Sequence, residues 1–132
     1  MDSATQEDMK KIRDTILEEL SEVEAIYLFG SVAKGTQNEK SDYDVLVFVK
    51  KIPAENIKTM SRIRYHLLGK IKRPLELFML DMEDLNYSSP FLYEVYHNNK
   101  LLHGKNIIEH CKDALSRMKP LILNGVKVGY YV

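Results

Sequence analysis

Apolar and polar positions recur along the chain in two rhythms, one helical and one strand-like. Between residues 6 and 23, Met9, Ile12, Ile16, Leu17, Leu20 and Val23 fall at helical spacing, with Lys10, Lys11, Arg13, Glu18 and Glu19 opposite. This predicts an amphipathic helix, for which Thr5 followed by Asp8 supplies a start signal. Ala25–Phe29 and Tyr43–Val49 are near-continuous apolar runs, read as neighbouring strands of a sheet covered on both faces. A second helix turns Ile57, Met60, Ile63, Leu67, Leu68 and Ile71 inward and Lys58, Arg62, Arg64 and His66 outward, closing near Gly69. Leu75–Leu80 is a third short strand, and residues 81–87 form a polar connector whose acids read as a helix start. Ser88-Ser89-Pro90 begins another helix that ends at Asn98-Asn99. Lys100–Gly104 reads as a short edge strand, and residues 105–118 as a last helix with Ile107, Ile108, Cys111, Leu115 and Met118 on one face. In the tail, Asn124-Gly125 between apolar residues signals a hairpin.

Together these elements predict an α/β (α+β) domain. Residues 1–132 are expected to form a single domain, with 105–132 as a C-terminal helix and tail. The length allows one real core. Lys plus Arg and Asp plus Glu both number 19, so there is no general electrostatic pull toward nucleic acid, and direct nucleic-acid binding is not expected. Cys111 is the sole cysteine, which removes any internal disulfide. With a polar N-terminus and no apolar run of membrane-spanning length, the expected location is cytoplasmic. His66, His97, His103 and His110 lie in separate elements without the spacing of a zinc site.

The chemistry concentrates between the first two strands. Gly30-Ser31 closes the first apolar run and starts a helical turn, Val32-Ala33-Lys34, that Gly35 ends. Backbone N–H groups at such a turn bind phosphate oxygens, and the Ser31 hydroxyl adds a donor. Lys34 is either a phosphate counter-charge or a solvated lysine, and Arg73 is a second, weaker candidate of the same kind. Asp42 and Asp44, two apart at the head of a strand, project from one face. Paired carboxylates suit a hard cation such as Mg²⁺, which combines one or two of them with phosphate oxygens. Glu76 is the only charge in the third strand; it either finds a partner there or faces solvent from an edge.

Gly30-Ser31, ten intervening residues, Asp42-x-Asp44 and flanking apolar strands resemble the minimal branch of the DNA polymerase beta nucleotidyltransferase superfamily. The resemblance implies a nucleotidyltransferase fold, with a small mixed β-sheet and helices packed mainly on one face, and Mg²⁺-dependent transfer of AMP from ATP to a hydroxyl. It further implies Asp42, Asp44 and Glu76 as catalytic, metal-holding residues for two ions, and Gly30, Ser31 and Lys34 as nucleotide-binding. Many relatives place Asp where this chain has Glu76. Minimal domains of this kind resemble antitoxins that silence a HEPN-domain ribonuclease toxin by attaching AMP to one of its tyrosines, and such a toxin is the expected partner. Two alternatives are a small-molecule nucleotidyltransferase with its pocket at a homodimer interface, and a silent antitoxin acting by contact alone.

Overall fold

Four strands, β1 (Val23–Phe29), β2 (Tyr43–Val49), β3 (Leu75–Asp81) and β4 (Asn99–Gly104), form one sheet in the order β3-β2-β1-β4. The computed structural model describes residues 1–86, 89–111, 115, 119–123 and 126–131. β1 is antiparallel to β2 and to β4, whereas β2 and β3 are parallel, so the sheet is mixed as expected. Parallel neighbours need a crossover, and α3 (Asn56–Leu67) supplies it. The strand alternation sorts the core into two layers. Ile26, Leu28, Tyr43, Val45 and Val47 pack against Met9, Ile12 and Ile16 of α1 (Ser3–Glu19) and Ile63 and Leu67 of α3. Tyr27, Phe29, Leu46 and Phe48 face the other way, under α4 (Pro90–His97), a 3₁₀ turn at Ile107–Cys111, and Leu115. The two long helices thus share one face, and the shorter elements close the other.

Several helix boundaries differ from the sequence expectation. The first helix begins at Ser3, not at residue 6, because Asp2 caps it by accepting from Thr5 N–H at 2.7 Å. Asp8 is buried instead of capping, and residues 20–23 leave the helix through Glu22, whose φ of 56° turns the chain into β1. Leu17, Ile57 and Leu68 point outward, at 36%, 76% and 77% exposure, because the helix faces that carry them have no layer above them. α4 starts as predicted: the Ser89 Oγ accepts from Leu92 N–H at 3.1 Å, and Pro90 occupies the first turn. The acidic connector becomes a 3₁₀ turn, Met82–Asn86, in which Asp81 and Asp84 each accept the other's backbone N–H, at 3.1 and 3.0 Å.

Residues 105 and 106 are not helical. The Tyr27 hydroxyl donates to Asn106 Oδ1 at 2.7 Å and accepts from Ile108 N–H at 3.2 Å, which pins this stretch over β1 and admits only the 3₁₀ turn. Beyond it, β5 (Lys119–Leu123) and β6 (Val126–Tyr131) pair antiparallel, as the hairpin signal requires. The Asn124-Gly125 turn, Met118 and the Cys111 side chain lie outside the described residues, as does most of 112–118. Among the described residues no helix is long and apolar enough to cross a membrane.

Candidate active site

β1 ends at Phe29, and the chain bends at Gly30 into α2 (Gly30–Lys34), a five-residue helix. Gly30 has φ of +76°, and a Cβ there would overlap the Asp44 carboxylate. Both constraints demand glycine: the left-handed backbone and the direct approach to Asp44. Strand register explains the approach, since Phe29 lies opposite Asp44, and Asp44 lies opposite Glu76. One row across three strands therefore carries the Gly30 turn, Asp44 and Glu76. Alternation puts Asp44 and Glu76 on the same sheet face, and Asp42 stands two residues before Asp44 at the mouth of β2.

Electrostatics report the same proximity. Burial raises the Asp44 carboxyl above its ordinary range, and the negative charges of Asp42 and Glu76 raise it further. The same sheet face carries an aromatic cluster. Phe29, Phe78 and Phe91 stack in a triangle with ring centres 5.1–5.6 Å apart. Glu76 itself is exposed, so of the two sequence readings the structure shows a solvent-facing acid that still acts on Asp44.

Among the described residues no three acidic, histidine or cysteine side chains converge as a ready-made cation cage. Mg²⁺ does not require one, because it keeps several waters and completes its shell with phosphate oxygens around one or two carboxylates. Asp44 with Asp42 or Glu76 has the donor chemistry for that role, and a cation would relieve the repulsion that raises Asp44.

Ser31 lies half-buried in the first turn of α2, and no side chain caps that turn. Gly35 ends the helix in the left-handed region, returning its N–H to the carbonyls of Ser31 and Val32. Lys34 sits apart from the Gly30 turn: its Nζ is 3.8 Å from Glu94 Oε2 of α4. Such half-exposed pairs are worth about 0–1 kcal/mol, so the lysine is easily drawn away.

Two residues hold the acidic segment in place, and sequence reasoning assigned neither to this task. Arg73 Nη1 donates to the carbonyls of Asn38 (2.6 Å) and Ser41 (3.1 Å), tying the loop before Asp42 to the start of β3. Next to it, Tyr43 N–H donates to Pro74 O at 2.9 Å. Asp8 accepts the Tyr43 hydroxyl at 2.6 Å and Lys72 N–H at 3.0 Å through one oxygen, Oδ2. The Tyr43 hydroxyl is correspondingly pushed up, by burial first and by Asp8 second. The segment Asp42-Tyr43-Asp44 is thus braced from both sides. Asp8 reads in sequence as one more polar residue of an amphipathic helix; its burial depends on Tyr43, which no local pattern announces.

With this geometry the comparisons with known proteins agree. The model of the family "Polymerase beta, Nucleotidyltransferase" matches residues 10–108. The chain belongs to this family. The nucleotidyltransferase is 30% identical over 113 residues to "Putative protein adenylyltransferase MJ1305" of Methanocaldococcus jannaschii, covering 78% of this chain and 77% of that protein. Its fold is similar to that of a chain in the complex of a tri-AMPylated Shewanella oneidensis HEPN toxin with an MNT antitoxin. There the TM-score is 0.56 at 18% identity, over 84% of this chain and 79% of that one. A spectinomycin adenyltransferase from Enterococcus faecialis, solved with ATP and spectinomycin, shares the fold at a TM-score of 0.64 and 17% identity, over 80% of this chain and 58% of that one. The matched span of the nucleotidyltransferase includes Gly30, Ser31, Asp42, Asp44 and Glu76.

Proposed function

We propose that this nucleotidyltransferase transfers AMP from ATP to a tyrosine hydroxyl of a HEPN-domain ribonuclease toxin, acting as the antitoxin of the pair in the cytoplasm. The observation that carries the chemistry is the pair Asp44 and Glu76 fixed by strand register, with the Gly30 turn against Asp44 and Asp42 beside it. A protein acceptor is supported by the protein adenylyltransferase relative, which is matched over most of its length. The toxin is supported by the similarity to an antitoxin solved with its AMPylated HEPN partner.

In this reading Asp42, Asp44 and Glu76 would hold two Mg²⁺ ions, which when bound neutralise charge on the transferring and leaving phosphates. Gly30, lacking a Cβ, lets the triphosphate approach the backbone, and the Ser31 N–H and hydroxyl donate to it. Lys34, released from Glu94, supplies a further positive charge. Glu76 accepts the proton of the incoming hydroxyl. The tyrosine oxygen bonds to the α-phosphorus as the bond from that phosphorus to the bridging oxygen breaks, and pyrophosphate leaves.

The test is incubation of the protein with Mg²⁺, α-labelled ATP and a lysate of its own source, beside the Asp44→Asn variant. A single labelled protein that carries AMP on tyrosine, absent with the variant, is the expected result. Label on a small molecule instead would establish the small-molecule alternative, and neutralisation of the toxin without any label would establish a silent antitoxin.

A further inference from the structure

The outer face of α3 has two properties that are unusual together. From Asn56 to Arg73 the chain carries Lys58, Arg62, Arg64, Lys70, Lys72 and Arg73 with no Asp or Glu, although the whole sequence is charge-balanced. Among the described residues the same stretch holds the most exposed large hydrophobic side chains: Ile57 at 76%, Tyr65 at 76% and Leu68 at 77%. These three fall on the face opposite the buried Thr59, Ile63 and Leu67, so the apolar stripe belongs to no core. Next to it a surface cavity of about 420 Å³ runs from Arg64 and Leu68 past Lys72 and Arg73 to Leu75.

Five of these cations divide into two groups. Lys58 is within 3.7 Å of Glu55 and Arg62 within 3.0 Å of Glu19, so both have acidic partners on their own side of the stripe. Arg64 and Arg73 donate only to backbone carbonyls, at Leu77 and at Asn38 and Ser41. Among the described residues neither of them, nor Lys72, has an acidic side chain within ion-pair distance. Three positive charges, none of them within ion-pair distance of a carboxylate among the described residues, thus line a groove edged by apolar surface, and of the three Lys72 is near enough to Asp2 to lower its carboxyl.

We infer that this face, the α3 stripe with the groove at Arg64, Lys72 and Arg73, is a docking surface for an acidic amphipathic helix of a partner protein. Aliphatic side chains of that helix would cover Ile57, Tyr65 and Leu68, and its carboxylates would meet the charges of Arg64, Lys72 and Arg73. Charge complementarity sets the sign of the occupant, and the aliphatic stripe sets its class. Of the three stripe residues only Tyr65 offers a ring on which a base could stack, whereas a helix would cover all three through its own i, i+4 and i+7 anchors. The surface goes beyond transfer to a toxin and stands whether or not that transfer is the chemistry.

The test uses a synthetic helical peptide with leucines along one side flanked by glutamates, a copy with lysines in place of the glutamates, and oligouridylate, each labelled and titrated by fluorescence anisotropy. The glutamate peptide is expected to bind saturably, more weakly as salt rises, and the lysine copy not to bind. Leu68→Asp and Lys72→Glu should each weaken it by about tenfold, while Leu101→Asp on β4, an exposed leucine elsewhere, should leave it unchanged. Melting curves of the variants check that the fold is retained. No binding of the glutamate peptide, equal binding of the lysine copy, or indifference to Leu68→Asp would overturn the inference. Tighter binding of oligouridylate would make the face a nucleic-acid surface. A concentration-dependent dimer abolished by Leu68→Asp would show that a second copy occupies it.

Discussion

Asp44 is placed where a carboxylate is expensive. It is half-buried and feels two other acids, and all three causes raise its carboxyl. In the metal-free protein its titration, followed by carboxyl NMR, should have a midpoint above the ordinary 3.8. Asp42→Asn and Glu76→Gln should each move that midpoint down. The sign for stability follows from linkage. A folded state that holds the Asp44 proton more tightly than the unfolded chain loses stability as pH rises from the unfolded value through the raised folded one. Asp44→Asn should therefore melt above the wild type at neutral pH, with the gap closing toward acid pH, while transfer is abolished. Added Mg²⁺ should raise the melting temperature of the wild type and leave the variant unmoved. Gly30→Ala addresses the same carboxylate from the other side. A side chain must be forced both into φ +76° and onto Asp44, so we expect a loss of about 1–3 kcal/mol in denaturant titration together with lost transfer.

At the level of elements, the site depends on how the loop of residues 35–42 is returned to the sheet. Arg73 does this with two charge-assisted bonds to loop carbonyls. Arg73→Ala should cost about 1–2 kcal/mol. Its diagnostic effect is a higher Mg²⁺ concentration for half-maximal transfer, with the rate at saturating Mg²⁺ largely restored, because the loop before Asp42 is loosened and the carboxylates remain. If the rate stayed low at saturation, Arg73 would be touching substrate, the role its sequence position first suggested. Asp8 braces the other side from within the core. Asp8→Ala strands the buried Tyr43 hydroxyl and removes the acceptor of Lys72 N–H, and equilibrium unfolding should show a loss of about 2–3 kcal/mol. The strands were legible in sequence because β1 and β2 are buried on both faces and need unbroken apolar runs. Asp8 and Arg73 were not, because each acts on residues more than thirty positions away. Leu17, Ile57 and Leu68 were misread for a related reason. Helical periodicity identifies a face but not whether another layer covers it, and here none does.

Across the whole molecule, stability and chemistry are kept in different places. The Gly-Ser and Asp-x-Asp positions were legible because the turn and the carboxylates are local in sequence. That Glu76 joins them was legible only through the family, since it depends on the parallel pairing of β2 and β3 across the α3 crossover. The core that supports this pairing lies largely on the opposite sheet face, where Ile12 and Ile16 of α1 are fully buried against the strands. This separation predicts a double dissociation. Ile12→Ala leaves a cavity in that layer and should cost about 2–4 kcal/mol, yet preserve the transfer rate and the Mg²⁺ dependence at temperatures well below its melting point. Asp44→Asn should do the reverse, gaining stability at neutral pH while losing the reaction. The two measurements, unfolding and labelled transfer on the same preparations, also guard each other. Were Ile12→Ala to lose transfer while still folded, the sheet itself would be flexing the Asp42–Asp44 segment, and the brace of Asp8 and Arg73 would not suffice to isolate the site from the core.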